Sequence, residues 1–110
     1  MKNLKKEAES QKVSKSIIQP IGGSKICYVC QTSYNLHKHH IFFGTANRKK
    51  AEQDGCWCWL CGRHHNMSND GVHFNKQLDS ELKRKAQLAW MQVYSKTINE
   101  FIKRYGKNYL

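Results

Sequence analysis

The stretch CWLCGRHHN, residues 58–66, places two cysteines and two histidines within one short run. Thiolate sulfur and imidazole nitrogen are the ligands that zinc prefers in structural sites. A second pair of thiols stands upstream in CYVC, residues 27–30, where a tight turn can direct both sulfurs at one ion. The chain has five cysteines, and an odd number favours metal ligation over a disulfide framework. The sequence therefore predicts a structural Zn²⁺ site built from these two stretches.

Two second pairs of ligands compete to complete the site begun by Cys27 and Cys30. Cys58 with Cys61 would give a four-cysteine site, whereas Cys61 with His64 would give three cysteines and one histidine. The alternation of a strand favours the second set, because Cys61 falls at the strand end, where a turn into a helix can present it beside His64. We therefore expect the structural zinc on Cys27, Cys30, Cys61 and His64.

The charge of the chain is strongly positive. Its 110 residues carry 19 Lys and Arg against 8 Asp and Glu, a formal net charge of +11. Such a surface attracts polyanions before any specific contact forms, so DNA or RNA is the expected partner. No apolar run approaches the ~20 residues of a transmembrane helix, and the basic N-terminus lacks the apolar stretch of a signal peptide. We therefore expect a cytoplasmic protein without a membrane partner.

The composition divides the chain into an arm and one domain. Residues 1–25 are rich in lysine and polar residues and predict a flexible basic arm. Residues 26–110 have the apolar content of one small domain, whose thin core would benefit from a metal cross-link.

Two strands are predicted within the domain. LHKHHIFFG (36–44) and CWCWLC (56–61) have the aromatic and aliphatic content of strands. Cys56 and Cys58 in the second are interpreted as buried small hydrophobic side chains. The segment NRKKAEQDG (47–55) is polar, ends in Asp-Gly and predicts a connecting loop with one helical turn. A short helix is expected after the second strand.

Two further helices are predicted in the C-terminal part. Apolar residues recur at three- and four-residue spacing over about 77–94, which indicates an amphipathic helix packed on a core. Thr97 with Glu100 has the pattern of a capping box, and Gly106 ends a second helix over about 98–105. The expected fold class is therefore α+β.

All six histidines fall between His37 and His73, and doublets occur at residues 39–40 and 64–65. Because neighbours on a helix are turned about 100° apart, one histidine of a helical doublet can hold zinc while the other serves chemistry. Metal-assisted hydrolysis of a phosphodiester needs ligands that leave coordination positions open, and a base that activates water. Imidazole can do either job near neutral pH. The histidines therefore predict a second, catalytic metal site.

Four motifs carry a family resemblance: CYVC (27–30), HHIFFG (39–44), LCGRHHN (60–66) and GVHF (71–74). Together they resemble the HNH endonucleases, which are also called ββα-metal or His-Me finger nucleases. The HHxxFG pattern is similar to that of a phage branch, the recombination-enhancement nucleases, which cut DNA under the direction of a recombinase filament. The resemblance covers roughly residues 27–105. It implies a DNA endonuclease with a ββα-metal core over about 36–75, encoded by a phage and acting in the bacterial cytoplasm.

The resemblance also implies a role for each paired histidine. His39, the first of its pair, would bind a catalytic divalent ion, and His40 would be the general base. The helix after the second strand would supply His65 as another ligand. The third ligand is His73 or Asn69, and His73 is preferred because imidazole is the stronger ligand for a transition-metal ion. The ion would be Mg²⁺, Mn²⁺, Ni²⁺ or Zn²⁺.

The chain departs from the family at the middle asparagine of the HNH motif. That position is Cys56, and Asn47 is the only asparagine between His40 and His65. Either Asn47 or plain backbone pairing would then orient the segment that carries the base. Adjacent residues of a regular strand also face opposite ways, so His39 and His40 are expected at a bulge or a strand end.

Contacts with DNA are expected from Arg48, Lys49 and Lys50, since such side chains hold phosphates without reading bases. His37 is interpreted as a surface residue or a further phosphate contact. The short chain offers no separate domain for reading DNA, so specificity is expected from a partner such as a recombinase filament or a phage packaging protein. The alternative function is a non-catalytic zinc module that binds nucleic acid, which would leave the histidines outside the zinc site idle.

Overall fold

The structure of the chain, a computed structural model, describes residues 15–19, 25–69 and 71–110. In these residues it has one two-stranded sheet and four helices, so the predicted α+β class is confirmed. None of the helices in the described residues combines the length and the apolar character needed to cross a membrane.

The sheet is an antiparallel pair of strands, β1 (Leu36–His40) and β2 (Trp57–Cys61). Its register sets His39 opposite Cys58 and His40 opposite Trp57. Directly opposite residues of an antiparallel pair lie on the same face. One face therefore carries His39 with the buried Cys58, while the other carries His40 with Trp57.

The segment between the strands is a helix, α1 (Thr45–Asp54), so the prediction of a loop over 47–55 is wrong. Gly44 and Gly55 cap it with positive φ values of 101° and 81°, and the Gly55 N–H donates to the Ala51 carbonyl. The Asp-Gly pair thus ends a helix instead of forming a turn between strands. Ala51 is the one residue of α1 that is fully buried. The helix therefore has almost no apolar periodicity to reveal it in the sequence.

Three helices follow β2, namely α2 (Gly62–His65), α3 (Lys76–Val93) and α4 (Ile98–Tyr105). The bounds of α3 and α4 lie within one residue of the expected 77–94 and 98–105. Thr97 and Glu100 form the capping box expected from the sequence, and Gly106 ends α4 with a φ of 93°. The short α2 begins directly after β2, so its histidines stay close to the strand end.

Aromatic side chains join the C-terminal helices to the sheet and to α1. The ring of the buried Phe42, just after β1, lies 5.2 Å from that of Phe101 and 4.6 Å from that of Tyr105. Asp54, the last residue of α1, accepts hydrogen bonds from the Trp90 indole at 2.8 Å and from the Tyr105 hydroxyl at 2.7 Å. These contacts fix the C-terminal end of α1 on α3 and α4.

Residues 15–19 pack along the edge of β2 that β1 leaves unpaired. Gln19 accepts a hydrogen bond from the Trp59 N–H at 2.9 Å and donates one to the Ile26 carbonyl at 2.7 Å. Covering an open strand edge prevents its pairing with another chain. This piece of the predicted flexible arm is therefore packed on the domain. Apart from Lys25, the rest of the arm lies outside the described residues.

Candidate metal centres

Three thiols and one imidazole lie together at the junction of β2 and α2. Cys61 Sγ lies 3.8 Å from Cys30 Sγ and 3.3 Å from His64 Nδ1. Cys27 Sγ lies 3.8 Å from the same His64 nitrogen, and all four ligand atoms are within 4.8 Å of one another. Ligands of a tetrahedral ion with Zn–S bonds of ~2.3 Å stand about 3.5–4 Å apart. This Cys3His cluster could therefore hold a metal ion such as zinc.

Backbone hydrogen bonds hold the turn that carries the first two thiols. Gln31, at a φ of 66°, donates its N–H to the Cys27 carbonyl at 2.8 Å and closes the turn. The Tyr28 N–H donates to the Trp59 carbonyl at 2.8 Å, which ties the turn to β2. The two pairs of ligands, distant in the sequence, are thus joined through the strand edge.

The pKa values separate Cys27 from the two cysteines outside the cluster. Burial alone would raise the pKa of the Cys27 thiol, but backbone N–H groups, first of all that of Cys30, outweigh burial and lower the pKa to about 6. Cys56 and Cys58 are fully buried, and burial raises the pKa of Cys56 to about 12 and raises that of Cys58 as well. Their interpretation as buried small side chains is confirmed. His64, and not Cys58, lies with Cys27, Cys30 and Cys61.

A second cluster contains three histidines. His39 comes from β1, His65 ends α2, and His73 lies in the loop that follows. Their ligand nitrogens lie within 4.8 Å of one another, with 3.1 Å between His65 Nε2 and His73 Nε2. His39 is 2% exposed, and its Nε2 has no hydrogen-bond partner in the part of the chain that the structure describes. Because a buried polar atom without a partner is costly, this nitrogen suits a metal ligand.

Both of the more buried histidines favour the neutral form. Burial, followed by the positive charge of neighbours such as His65, lowers the pKa of His39 to about 3. Burial, followed by the charge of His73, lowers the pKa of His65 to about 4. Neutral imidazole has the lone pair that a metal ion requires. His39 and His65 can therefore accept an ion near neutral pH without first losing protons.

The loop that carries His73 is held against α2 by its backbone. The Val72 N–H donates to the His64 carbonyl at 2.8 Å, and the His73 N–H donates to the His65 carbonyl at 3.1 Å. The chain passes so close that a Cβ at Gly71 would lie 2.7 Å from the His65 carbonyl oxygen. A glycine is therefore required here for His73 to reach the cluster.

His37 contacts the opposite side of His65. The Nδ1 atoms of the two rings lie 2.9 Å apart, and the ring centroids are 5.0 Å apart. His37 is therefore half-buried against the histidine cluster instead of standing alone on the surface, and its role as a phosphate contact stays a prediction. Since His37 and His39 are two positions apart on β1, they share a face. That spacing was the signal in the sequence that could have placed His37 with the cluster.

His40 ends β1 and is held by an acidic residue of α1. Its Nε2 lies 2.7 Å from Glu52 Oε1, and Lys38 Nζ lies 3.3 Å from Oε1 and 3.2 Å from Oε2 of the same carboxylate. Glu52 was not predicted from the sequence, because its segment had been interpreted as a loop. Glu52 faces β1 because this segment is a helix, and that helix had not been predicted.

One cavity of about 380 Å³ joins the histidine cluster to His40. His39 and His40 both line it, although adjacent strand residues face opposite ways, and His40 lies at the strand end as expected. The remaining lining residues are Lys38, Phe43, Arg48, His65, Asn66 and His73. The cavity therefore brings a candidate metal site and a candidate base within one space.

The three basic residues that follow the first strand, Arg48, Lys49 and Lys50, lie in different surroundings. Arg48 lines the histidine cavity, and Lys49 is exposed. Lys50 donates a hydrogen bond to the Arg104 carbonyl at 2.8 Å and lines a separate cavity of about 540 Å³ against α3 and α4. Only Arg48, among these three residues, lies beside the histidines.

The remaining residues considered from the sequence have other surroundings. The Asn47 side chain donates to the Tyr105 carbonyl at 3.2 Å, at the end of α4. Cys56 accepts the Ile41 N–H at 3.0 Å through its carbonyl. Backbone pairing therefore continues past His40. Asn69 is an exposed turn residue.

Comparison of the chain with protein-family models, with curated proteins and with solved structures found no significant match.

Proposed function

We propose that the chain is a metal-dependent endonuclease that hydrolyses DNA phosphodiester bonds, with β1, β2 and α2 as an HNH-type ββα-metal core. One observation carries the proposal: His39, His65 and His73 converge in the cavity that His40 also lines, and the buried Nε2 of His39 has no hydrogen-bond partner among the described residues. A purely structural zinc module would have no use for this second cluster. The Cys3His cluster would hold structural Zn²⁺ and fasten the scaffold.

His39, His65 and His73 would hold the catalytic ion, which is Mg²⁺, Mn²⁺, Ni²⁺ or Zn²⁺. When bound, such an ion supplies a Lewis acid that stabilises the negative charge developing on the scissile phosphate. His40 removes a proton from the attacking water, whose oxygen then bonds to phosphorus as the bond to the 3′-oxygen breaks. The leaving 3′-oxygen takes a proton from solvent, so the products would be a 5′-phosphate and a 3′-hydroxyl.

DNA binding in this proposal depends on charge. The formal net charge of +11 attracts the phosphate backbone, and Arg48 lies at the cavity where the scissile phosphate would sit. We further propose that the chain is phage-encoded, acts in the bacterial cytoplasm and takes its specificity from a recombinase filament or a phage packaging protein. The support for this last proposal is the resemblance of the motifs alone.

The direct test is a plasmid-nicking assay with Mg²⁺, Mn²⁺ or Ni²⁺ added. His40→Ala should abolish nicking while leaving zinc content, divalent-metal binding and DNA binding unchanged, because His40 is assigned to neither ion. Tyr34→Ala, which changes a side chain that is 80% exposed, is the matched control and should nick like the wild type.

Two outcomes would contradict the proposal. One is wild-type protein that carries zinc and binds DNA but does not nick with any of the ions, which would favour the non-catalytic nucleic-acid-binding module. The other is undiminished nicking by His40→Ala.

A further inference from the structure

A carboxylate lies behind the proposed general base, on a different element of the fold. Glu52 Oε1 is 2.7 Å from His40 Nε2, and the two residues come from α1 and β1. Among the described residues, the other ring nitrogen of His40, Nδ1, has no hydrogen-bond partner. One side of the imidazole is therefore bonded, and the other is available.

The carboxylate itself is held from two sides. Lys38 Nζ bonds both oxygens of Glu52, and the same ammonium lies 4.1 Å from the centre of the Trp57 ring, which limits its movement. The Glu52 side chain is 34% exposed, so the group is partly shielded from water. A carboxylate braced by an ordered cation keeps its direction better than one on a free surface.

The helix that carries Glu52 is also fixed. Ala51 is buried against the core, and Asp54 is bonded to the Trp90 indole, the Tyr105 hydroxyl and the Arg104 guanidinium. Ala51 and Asp54 stand on either side of Glu52 in α1. Packing far from the cavity therefore determines where the carboxylate stands relative to His40.

We infer that Glu52 is a positioning residue for His40, an inference that rests on the proposed nuclease function. By accepting the hydrogen on Nε2, the carboxylate selects the tautomer whose Nδ1 carries the lone pair, and it fixes the plane of the ring. The proton from water is then taken up at Nδ1, while Glu52 remains ionised and stabilises the imidazolium that forms. A carboxylate from α1 thus orients the base in a chain whose motif has Cys56 in place of asparagine.

The first readout is independent of cleavage. Long-range ¹H–¹⁵N spectra of the zinc-loaded protein report which nitrogen of His40 carries the hydrogen. The wild type should show the Nε2–H tautomer. Glu52→Ala should lose this preference, and Glu52→Gln should keep it, because its side-chain oxygen can still accept the bond. Glu81→Gln, an exposed carboxylate on α3, is the matched control and should leave the spectrum of His40 unchanged.

The second readout is cleavage. Glu52→Ala should lower kcat about 10- to 100-fold with little change in KM, since an orienting partner acts on the chemical step and not on DNA binding. Glu52→Gln should recover part of the loss, because it restores the hydrogen bond without the charge. A merely structural role would lower thermal stability without this graded recovery or a change of tautomer.

The two proposals fail in different ways. Absence of nicking by the wild type would overturn the nuclease function, while the tautomer of His40 in the wild type and in Glu52→Ala would still decide the role of Glu52. The positioning role would be overturned by an Nδ1–H tautomer in the wild type, or by a tautomer that does not change in Glu52→Ala.

Discussion

The Nδ1 atoms of His37 and His65 lie 2.9 Å apart, while His65 Nε2 lies 3.1 Å from His73 Nε2. His65 is therefore held at both ring nitrogens by histidines from two different segments. When His65 Nδ1 carries the hydrogen and donates it to His37, the lone pair of His65 is on Nε2, the nitrogen that lies in the cluster with His39 and His73. His37 thus contacts the candidate metal ligand His65 without belonging to the cluster of His39, His65 and His73.

Substituting His37 should weaken metal binding at the histidine cluster. Partners that orient a metal ligand are typically worth about 10- to 100-fold in metal affinity, so His37→Ala should lose Mn²⁺ or Ni²⁺ affinity on that scale. Isothermal titration calorimetry of the zinc-loaded protein measures this loss. Tyr34→Ala serves as the control. An unchanged affinity in His37→Ala would show that the contact between the two rings does not support ligation.

Loss of one cluster thiol should release the structural metal. Cys30 is exposed, so Cys30→Ser leaves the core packing intact and its effect reports on the ion. Because structural zinc contributes folding free energy directly, this variant should bind zinc more weakly and unfold at lower temperature. Elemental analysis and thermal unfolding, followed by circular dichroism, measure the two effects.

Cys58→Ala is the matched control for Cys30→Ser. It removes a fully buried sulfur outside the cluster and should cost about 1 kcal/mol of stability through poorer packing. Its zinc content should equal that of the wild type. Zinc loss in Cys58→Ala as well as in Cys30→Ser would favour the four-cysteine alternative, in which Cys58 takes the place of His64.

Much of the Cys3His cluster follows from local sequence, because its geometry is set by a tight turn, a strand end and the start of a helix. The paired thiols of Cys27 and Cys30 and the spacing from Cys61 to His64 each fall within one turn. The C-terminal helices are equally local, since their apolar periodicity and the capping box at Thr97 are read without knowing the rest of the fold.

The features that the sequence did not reveal depend on contacts between distant segments. α1 has one buried residue and is stabilised by Asp54, whose partners Trp90 and Tyr105 lie far along the chain. Nothing in its own residues distinguishes it from a polar loop. Glu52 lies on α1, so it could not be predicted as the partner of His40 while this segment was interpreted as a loop.

Alkaline pH should destabilise the fold through Cys56. Its pKa is raised from 9.0 to about 12 by burial, so the folded protein keeps the thiol neutral in a range where the unfolded chain ionises it. The unfolded state then binds fewer protons, and the free energy of unfolding falls as pH rises through this window. Between about pH 8 and about pH 10 the wild type should lose roughly 1 kcal/mol more stability than Cys56→Ala.

Urea unfolding in the presence of a reductant at the two pH values measures this difference. Tyr34→Ala, which leaves the buried thiol in place, should follow the wild type. Parallel losses in Cys56→Ala and the wild type would mean that Cys56 does not ionise differently in the folded and unfolded states.

Arg48 and Lys50 offer a matched pair for testing where DNA lies. Arg48 lines the histidine cavity, whereas the Lys50 ammonium is bonded to the Arg104 carbonyl beside α4. Wild-type affinity for DNA should fall steeply with salt, and Arg48→Ala should reduce the slope of log K against log salt by about 0.9 for each DNA phosphate that the guanidinium neutralises. Lys50→Ala should leave the slope nearly unchanged. Fluorescence anisotropy with a labelled duplex and a labelled single strand, over a series of salt concentrations, measures both slopes. A salt-independent affinity in the wild type would contradict DNA binding through phosphate contacts. A larger change of slope in Lys50→Ala than in Arg48→Ala would indicate that DNA binds at the cavity against α3 and α4.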